Sequence, residues 1–206
     1  MPLGISPVCA ENPCMTEQQI QSYFSEHAAV ASRTSAQFAP KILELGNLLI
    51  ETFSRGNRVF TFGIGGSAAD SMHLAEELIG RFLRTRRPLP ATALMSDGTA
   101  VTCIANDFGY EELFARQIQA LANKGDVVVA FSTSGNSENI LRGLKAAREK
   151  SAVTIAFLGK GGGKAAPLAD HAIIIPTDTT AYIQEMHMMI VHLLCDIVDR
   201  WAAGVP

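Results

Sequence analysis

The chain has 206 residues, 48% hydrophobic and 18% charged, with 17 basic against 20 acidic side chains and a formal net charge of -3. That length holds one domain with a full core, and the mixture carries no bias towards disorder. The missing basic excess argues against a nucleic-acid-binding role, and no apolar run is long enough to span a bilayer.

Residues 1–15 carry Pro2, Pro7 and Pro13 but neither a basic start nor an apolar run. They read as a loose arm rather than a secretory signal, ahead of a single domain over 16–206. Cys9, Cys14, Cys103 and Cys195 match no zinc-ribbon or redox-pair spacing. Free thiols in a reducing compartment, and so a cytoplasmic location, are the expectation.

Thr16 and Gln19 form a capping box that opens a helix expected to run to about Gln37. Pro40 is expected to interrupt it. A second helix then carries Ile42, Leu45, Leu48, Leu49 and Phe53 at helical spacing and stops at Gly56-Asn57. From there short apolar, β-rich runs at 58–62, 91–95, 127–131, 153–158 and 171–175 alternate with amphipathic stretches near 67–84, 99–122, 137–149 and 180–203. Such alternation predicts right-handed βαβ units, and strands this apolar are buried on both faces. The predicted fold class is therefore α/β, a three-layer, doubly wound, five-stranded parallel sheet with an N-terminal helical extension. Arg81, Arg84, Arg86 and Arg87 read as a solvated helix end rather than a binding patch.

Ligands of such sheets sit beyond the carboxyl ends of the strands, so the loops there carry the functional reading. The first is Gly63-Ile64-Gly65-Gly66-Ser67-Ala68-Ala69-Asp70. Gly65 and Gly66 let backbone amides approach a ligand, and Ser67 can cap the helix whose N-terminus favours an anion. The spacing fits neither a dinucleotide fingerprint nor a P-loop. The second loop, Ser132-Thr133-Ser134-Gly135-Asn136-Ser137, places four hydroxyls and a glycine between a buried strand and a helix. A capped turn needs one hydroxyl; four make a neutral phosphate cradle suited to a monoester that must leave again.

Two helices supply candidate chemistry. His73 and Glu77 lie four apart, about one turn, where they can share a divalent metal, pass a proton or form an ordinary surface pair. The last helix carries Gln184, His187 and His192. Gln184 and His192 are separated by about 12 Å of rise, wide for one metal. His187 competes for the same role, and a histidine on so apolar a helix can equally be a hydrogen-bonded core residue.

The pair "GIGGSAAD" and "STSGNS", each following a strand, resembles the SIS (sugar isomerase) family, over roughly residues 16–203. Within it, H-x3-E, Q-x7-H and the Asn106-Asp107-Phe108-Gly109 segment resemble the phosphoheptose isomerase branch. The resemblance implies the SIS fold and receipt of the substrate phosphate by "STSGNS". It implies Asn106 and Asp107 as substrate contacts, and His73, Glu77, Gln184 and His192 as ligands of one zinc ion per subunit. Glu77 and His192 would be the catalytic acid–base pair. It further implies a homotetramer with sites at subunit interfaces, and conversion of sedoheptulose 7-phosphate to D-glycero-D-manno-heptose 7-phosphate, the first step of ADP-heptose biosynthesis. Gly65, Gly66, Ser67, Ser132, Thr133, Ser134, Ser137 and Gln184 complete the expected substrate site. Ile64 stands where the family usually has Asn, and Tyr182 where it commonly has Arg, which bears on sugar choice. A non-catalytic relative that binds a replication initiator, or an isomerase of another sugar phosphate, is the alternative.

Overall fold

The computed structural model describes residues 15–204, so nearly all of the expected N-terminal arm lies outside them. Helix α1, Glu17–Ser54, opens on the expected capping box: Gln19 N–H donates to Thr16 Oγ1 at 3.2 Å and Thr16 N–H donates to Gln19 Oε1 at 2.8 Å. It continues unbroken through Pro40, against the expected interruption. The proline costs one intrahelical bond, but Pro40 and Ala36, whose carbonyl it leaves, face solvent. Val30 and Thr34 before it and Ile42, Leu45 and Leu49 after it are all buried, so packing on both sides holds the helix together.

Strands β1 (Val59–Gly63), β2 (Ala91–Ala93), β3 (Val127–Ser132), β4 (Val153–Leu158) and β5 (His171–Ile174) pair in parallel in the order β2-β1-β3-β4-β5. Every residue of β1 and β3 is buried, as their apolar runs require. Helices α2 (Gly66–Ile79), α3 (Gly98–Phe108), α4 (Leu113–Leu121), α5 (Glu138–Glu149) and α6 (Thr180–Ala202) complete the domain. One core joins α1, α2 and α6 to one face of the sheet through Leu49, Leu74, Phe131, Phe157 and Ile190. The other joins α4 and α5 to the opposite face through Phe60, Phe62, Phe114 and Leu144. The chain leaves β1 for the edge strand β2 and returns to β3 on the other side. The adjacent β1 and β3 therefore form the topological switch point, where ligands of such sheets bind.

Three expectations need correction. The stretch 99–122 is two helices, parted at Gly109, whose φ of 93° an L side chain rarely adopts. The helix expected over 67–84 ends at Ile79. Of the arginines beyond it, Arg81 and Arg87 are exposed as a solvated end requires, but the Arg86 side chain is 1% exposed and paired with the fully buried Asp199. Burial pushes the Asp199 carboxyl up, but N–H groups of Arg84 and Leu83 together with the Arg86 guanidinium hold it below the usual carboxylate range. On α6, Met186, Ile190 and Leu194 are buried, whereas Met189 and Leu193 are exposed in the single chain.

Candidate functional site: an anion seat and an imidazole–carboxylate centre

The loops after β1 and β3 meet at the switch point. Ile64, Ser67, Ser132, Thr133, Ser134 and Ser137 line a cavity of roughly 140 Å³ between them. The N-terminus of α5 starts at this cavity, with Ser137 as cap residue, so its backbone N–H groups and the helix dipole favour a bound anion. Ser132 Oγ accepts from Gly135 N–H at 3.0 Å and Ser134 Oγ from Asn136 N–H at 3.2 Å. These bonds shape the loop yet leave both hydroxyl protons free to donate. Ser137 makes no side-chain cap bond, so its hydroxyl is also available to a ligand. Gly135 is required here: its φ is +63°, and a Cβ would lie 2.1 Å from the Gly162 carbonyl oxygen of the neighbouring loop.

Ser67 stands inside the first turn of α2, not at its cap. The cap residue is Gly65, and it makes no side-chain bond. Ser67 instead lines the cavity. Ile64 lines both this cavity and an adjoining one of roughly 240 Å³ that Tyr110, Glu111 and Glu138 share. An apolar wall thus stands where the family usually places an amide. Asn106 and Asp107 are not brought to the cavity wall: both are exposed at the end of α3, where Asn106 Nδ2 donates to Asp107 Oδ1 at 2.7 Å.

The second assembly lies along the contact of α2 with α6. His73 Nε2 is 3.3 Å from Glu77 Oε1 and 3.4 Å from His192 Nε2. One donor atom from each of the three lies within 4.8 Å of the others. Ligands on a tetrahedral zinc with bonds of about 2.0–2.1 Å are about 3.4 Å apart, so the spacing and the donor set both fit that ion. The His192 ring stacks on Phe82 with centroids 5.3 Å apart and planes 9° from parallel, which fixes its orientation. Cys195, one turn further along α6, does not join this donor group; burial first and the Glu77 charge second push its thiol up to about 12.

Gln184 lies at the other end of the same helix contact. Its amide occupies the space a side chain at Gly66 would take, since a Cβ there would be 2.2 Å from Nε2. Gly66 precedes His73 by seven residues and Gln184 precedes His192 by eight, rises of about 10 and 12 Å. The two helices thus run side by side in the same direction, with the amide nearer the anion seat and the imidazoles further away. His187 proves to be a core residue: it is fully buried between Phe131 and Phe157, and Nε2 lies 3.3 Å from the Leu158 carbonyl. Burial depresses its pKa to about 4.

One residue escaped the sequence reading. Asp70 shares the α2 stripe with Gly66, His73 and Glu77, at offsets of four, three and seven. It is buried, and its Oδ2 has no hydrogen-bond partner among the described residues. Burial raises its pKa to about 6, against the smaller opposing effect of His73. The helical spacing from His73 and Glu77 was the available signal. Tyr182 is buried and turned to α1, its hydroxyl donating to Glu26 at 3.2 Å, so it does not take the place of the family's arginine at the ligand.

A five-stranded parallel sheet with a hydroxyl-rich anion seat at its switch point defines a sugar-phosphate-handling class of α/β domain. The SIS domain model matches residues 22–159. Phosphoheptose isomerase of Aquifex aeolicus is 44% identical over 183 residues, covering 89% of this chain and 96% of the relative. The solved phosphoheptose isomerases of Neisseria gonorrhoeae and Francisella tularensis superpose with TM-scores of 0.84 and 0.87, each at 34% identity. They cover 88% and 90% of this chain and 97% and 100% of theirs. The chain belongs to the SIS family, and within it to the phosphoheptose isomerases.

Proposed function

We propose that this chain interconverts sedoheptulose 7-phosphate and D-glycero-D-manno-heptose 7-phosphate through an enediol. The observation that carries this reading is the convergence of His73, Glu77 and His192 into one three-donor centre. The phosphate and the reacting carbons stand at opposite ends of a seven-carbon chain. Their binding groups must therefore stand apart, and His73 follows Ser67 by about 9 Å of helix rise. The phosphate occupies the seat of Ser132, Thr133, Ser134, Ser137 and Ser67, with Gly65 and Gly66 presenting backbone amides. Gln184 holds sugar hydroxyls.

Glu77 takes a proton from C1 of the open-chain ketose and returns it to C2. His192 gives a proton to O2 and takes one from O1, so the proton count closes. Glu77 Oε1 faces His73, leaving its other oxygen for the carbon-bound proton. His73, Glu77 and His192 would hold one zinc ion, which when bound supplies Lewis-acid polarisation of the carbonyl oxygen. Gln184, expected as a fourth ligand, stands about 10 Å of helix rise away beside Gly66 and does not complete the set within the chain. The enzyme acts as a homotetramer with sites at subunit contacts. The exposed Met189, Leu193 and Leu43 on α6 and α1 support that assembly, since such a patch calls for cover. Light scattering on the eluted protein tests it, and a clean monomer would count against it. The described helices include none long and apolar enough to cross a membrane, which accords with a cytoplasmic enzyme.

The deciding experiment is incubation with sedoheptulose 7-phosphate, following the aldose by NMR with and without chelator. Aldose formation that chelator abolishes and zinc restores is expected; no aldose under any metal loading refutes the reading.

A further inference from the structure

The segment 80–87 turns back from the end of α2 and docks on α6. Arg86 Nε donates to Asp199 Oδ1 at 2.8 Å. One terminal nitrogen donates to the carbonyls of Leu78, Gly80 and Arg87 at 2.8, 3.2 and 3.0 Å, and the other to the Glu77 carbonyl at 2.6 Å. Asp199 Oδ2 accepts N–H groups from Leu83 and Arg84 at 2.8 and 2.9 Å. The same segment stacks Phe82 on His192, and Arg84 pairs at 2.5 Å with Asp196, one turn beyond that histidine.

A buried ion pair is by itself poor evidence of stability, because removing both charges from water offsets most of their attraction. What this one contributes is geometry. A single planar guanidinium grips the backbone of Glu77 and the helix that carries His192. We propose that Arg86, paired with Asp199, is a positioning residue that sets the spacing between Glu77 on α2 and His192 on α6. The inference rests on the proposed role of the His73, Glu77 and His192 centre. Lysine cannot reproduce it, since a point-charge ammonium lacks the fork that serves several carbonyls and a carboxylate at once.

Zinc affinity by competition with a chromophoric chelator tests this on full-length wild type, Arg86→Gln, Arg86→Lys and Asp199→Asn. Arg86→Gln is expected to weaken zinc binding at least tenfold and Arg86→Lys by less, with inorganic phosphate affinity at the seat unchanged within twofold. A merely structural residue would lower the melting temperature and leave zinc affinity alone. In the metal-free proteins, the ring nitrogen signals of His73 and His192 are expected to shift in every folded variant. Zinc affinity within twofold of wild type together with unmoved ring signals, in any folded variant, overturns the proposal. Wild type that takes up no zinc refutes the metal reading instead, and the ring signals then decide on Arg86 alone.

Discussion

The anion seat and the imidazole–carboxylate centre are built by opposite means. The seat is local: two loops at the ends of adjacent strands, with hydroxyls and amides contiguous in sequence and no cation among its lining residues. The centre is tertiary: its two imidazoles stand 119 residues apart and meet only because α2 and α6 pack side by side. A local site survives small movements of the surrounding helices, whereas a tertiary one transmits each of them to its donor atoms. Substrate affinity should therefore follow the loops, and turnover the helix packing.

Glu77→Gln is the sharpest way to separate the two. The amide keeps the size of the side chain and loses the base, so turnover is expected to fall about 10³-fold, within the range of proton-transfer catalysis. Phosphate affinity should stay within about threefold, since one good hydrogen bond is worth about 1 kcal/mol and none at the seat is touched. Single-turnover kinetics alongside phosphate titration check both halves; near-normal turnover removes Glu77 from the base role.

Gly66→Ala strikes the join between the regions. The new methyl would collide with the Gln184 amide, the end of a flexible side chain, so the fold should hold while the amide moves. Displacing a positioning group by about 1 Å can cost on the order of 100-fold. A loss of about 10- to 100-fold in kcat/KM at unchanged melting temperature is expected, and unchanged kcat/KM would show that Gln184 contributes nothing. At the seat itself, Thr133→Val removes one hydroxyl from the cavity wall. It should raise KM about tenfold with kcat nearly constant, equivalent to one charge-assisted hydrogen bond of about 1.5 kcal/mol. A fall in kcat at constant KM would reverse the assignment.

The same division decided what could be read from residues alone. The five strands were legible because each is a short apolar run buried on both faces, and the seat because its hydroxyls exceed what a turn requires. His73 and Glu77 were legible as a pair, but their meeting with His192 was reached only through resemblance, since no local pattern reports helix–helix packing. Pro40 was misread because local propensity ignores the buried Val30, Thr34, Ile42 and Leu45 that hold α1 straight across it. Arg86 was misread for the same reason: its burial depends on Asp199, 113 residues away. Asp70 lay in plain view at helical spacing, yet nothing in composition tells a buried carboxyl from a solvated one.

Asp70 offers the smallest effect and the finest test of the tertiary region. Its folded pKa is about 6, raised from 3.8 chiefly by burial. Between these values the native state binds more protons than the unfolded chain, so stability falls as pH rises through that window. His187, with its pKa lowered from 6.5 to about 4 by burial, acts in the opposite sense over nearly the same window. The two slopes largely cancel in the native protein, so a flat profile there would hide both. Asp70→Asn removes one of them. In metal-free protein at pH 8 the variant is expected to melt about 3 °C above wild type, the scale of ~1 kcal/mol in a chain this long. The difference should close as pH falls through 3.8 and vanish well below it, where Asp70 is neutral in both states. Across pH 4–6 the variant should gain stability with rising pH, the slope of His187 left uncovered. A variant that melts lower than wild type at pH 8 would mean that the ionised Asp70 carboxylate is favourably held, and that its role in the α2–α6 stripe is to attract a cation.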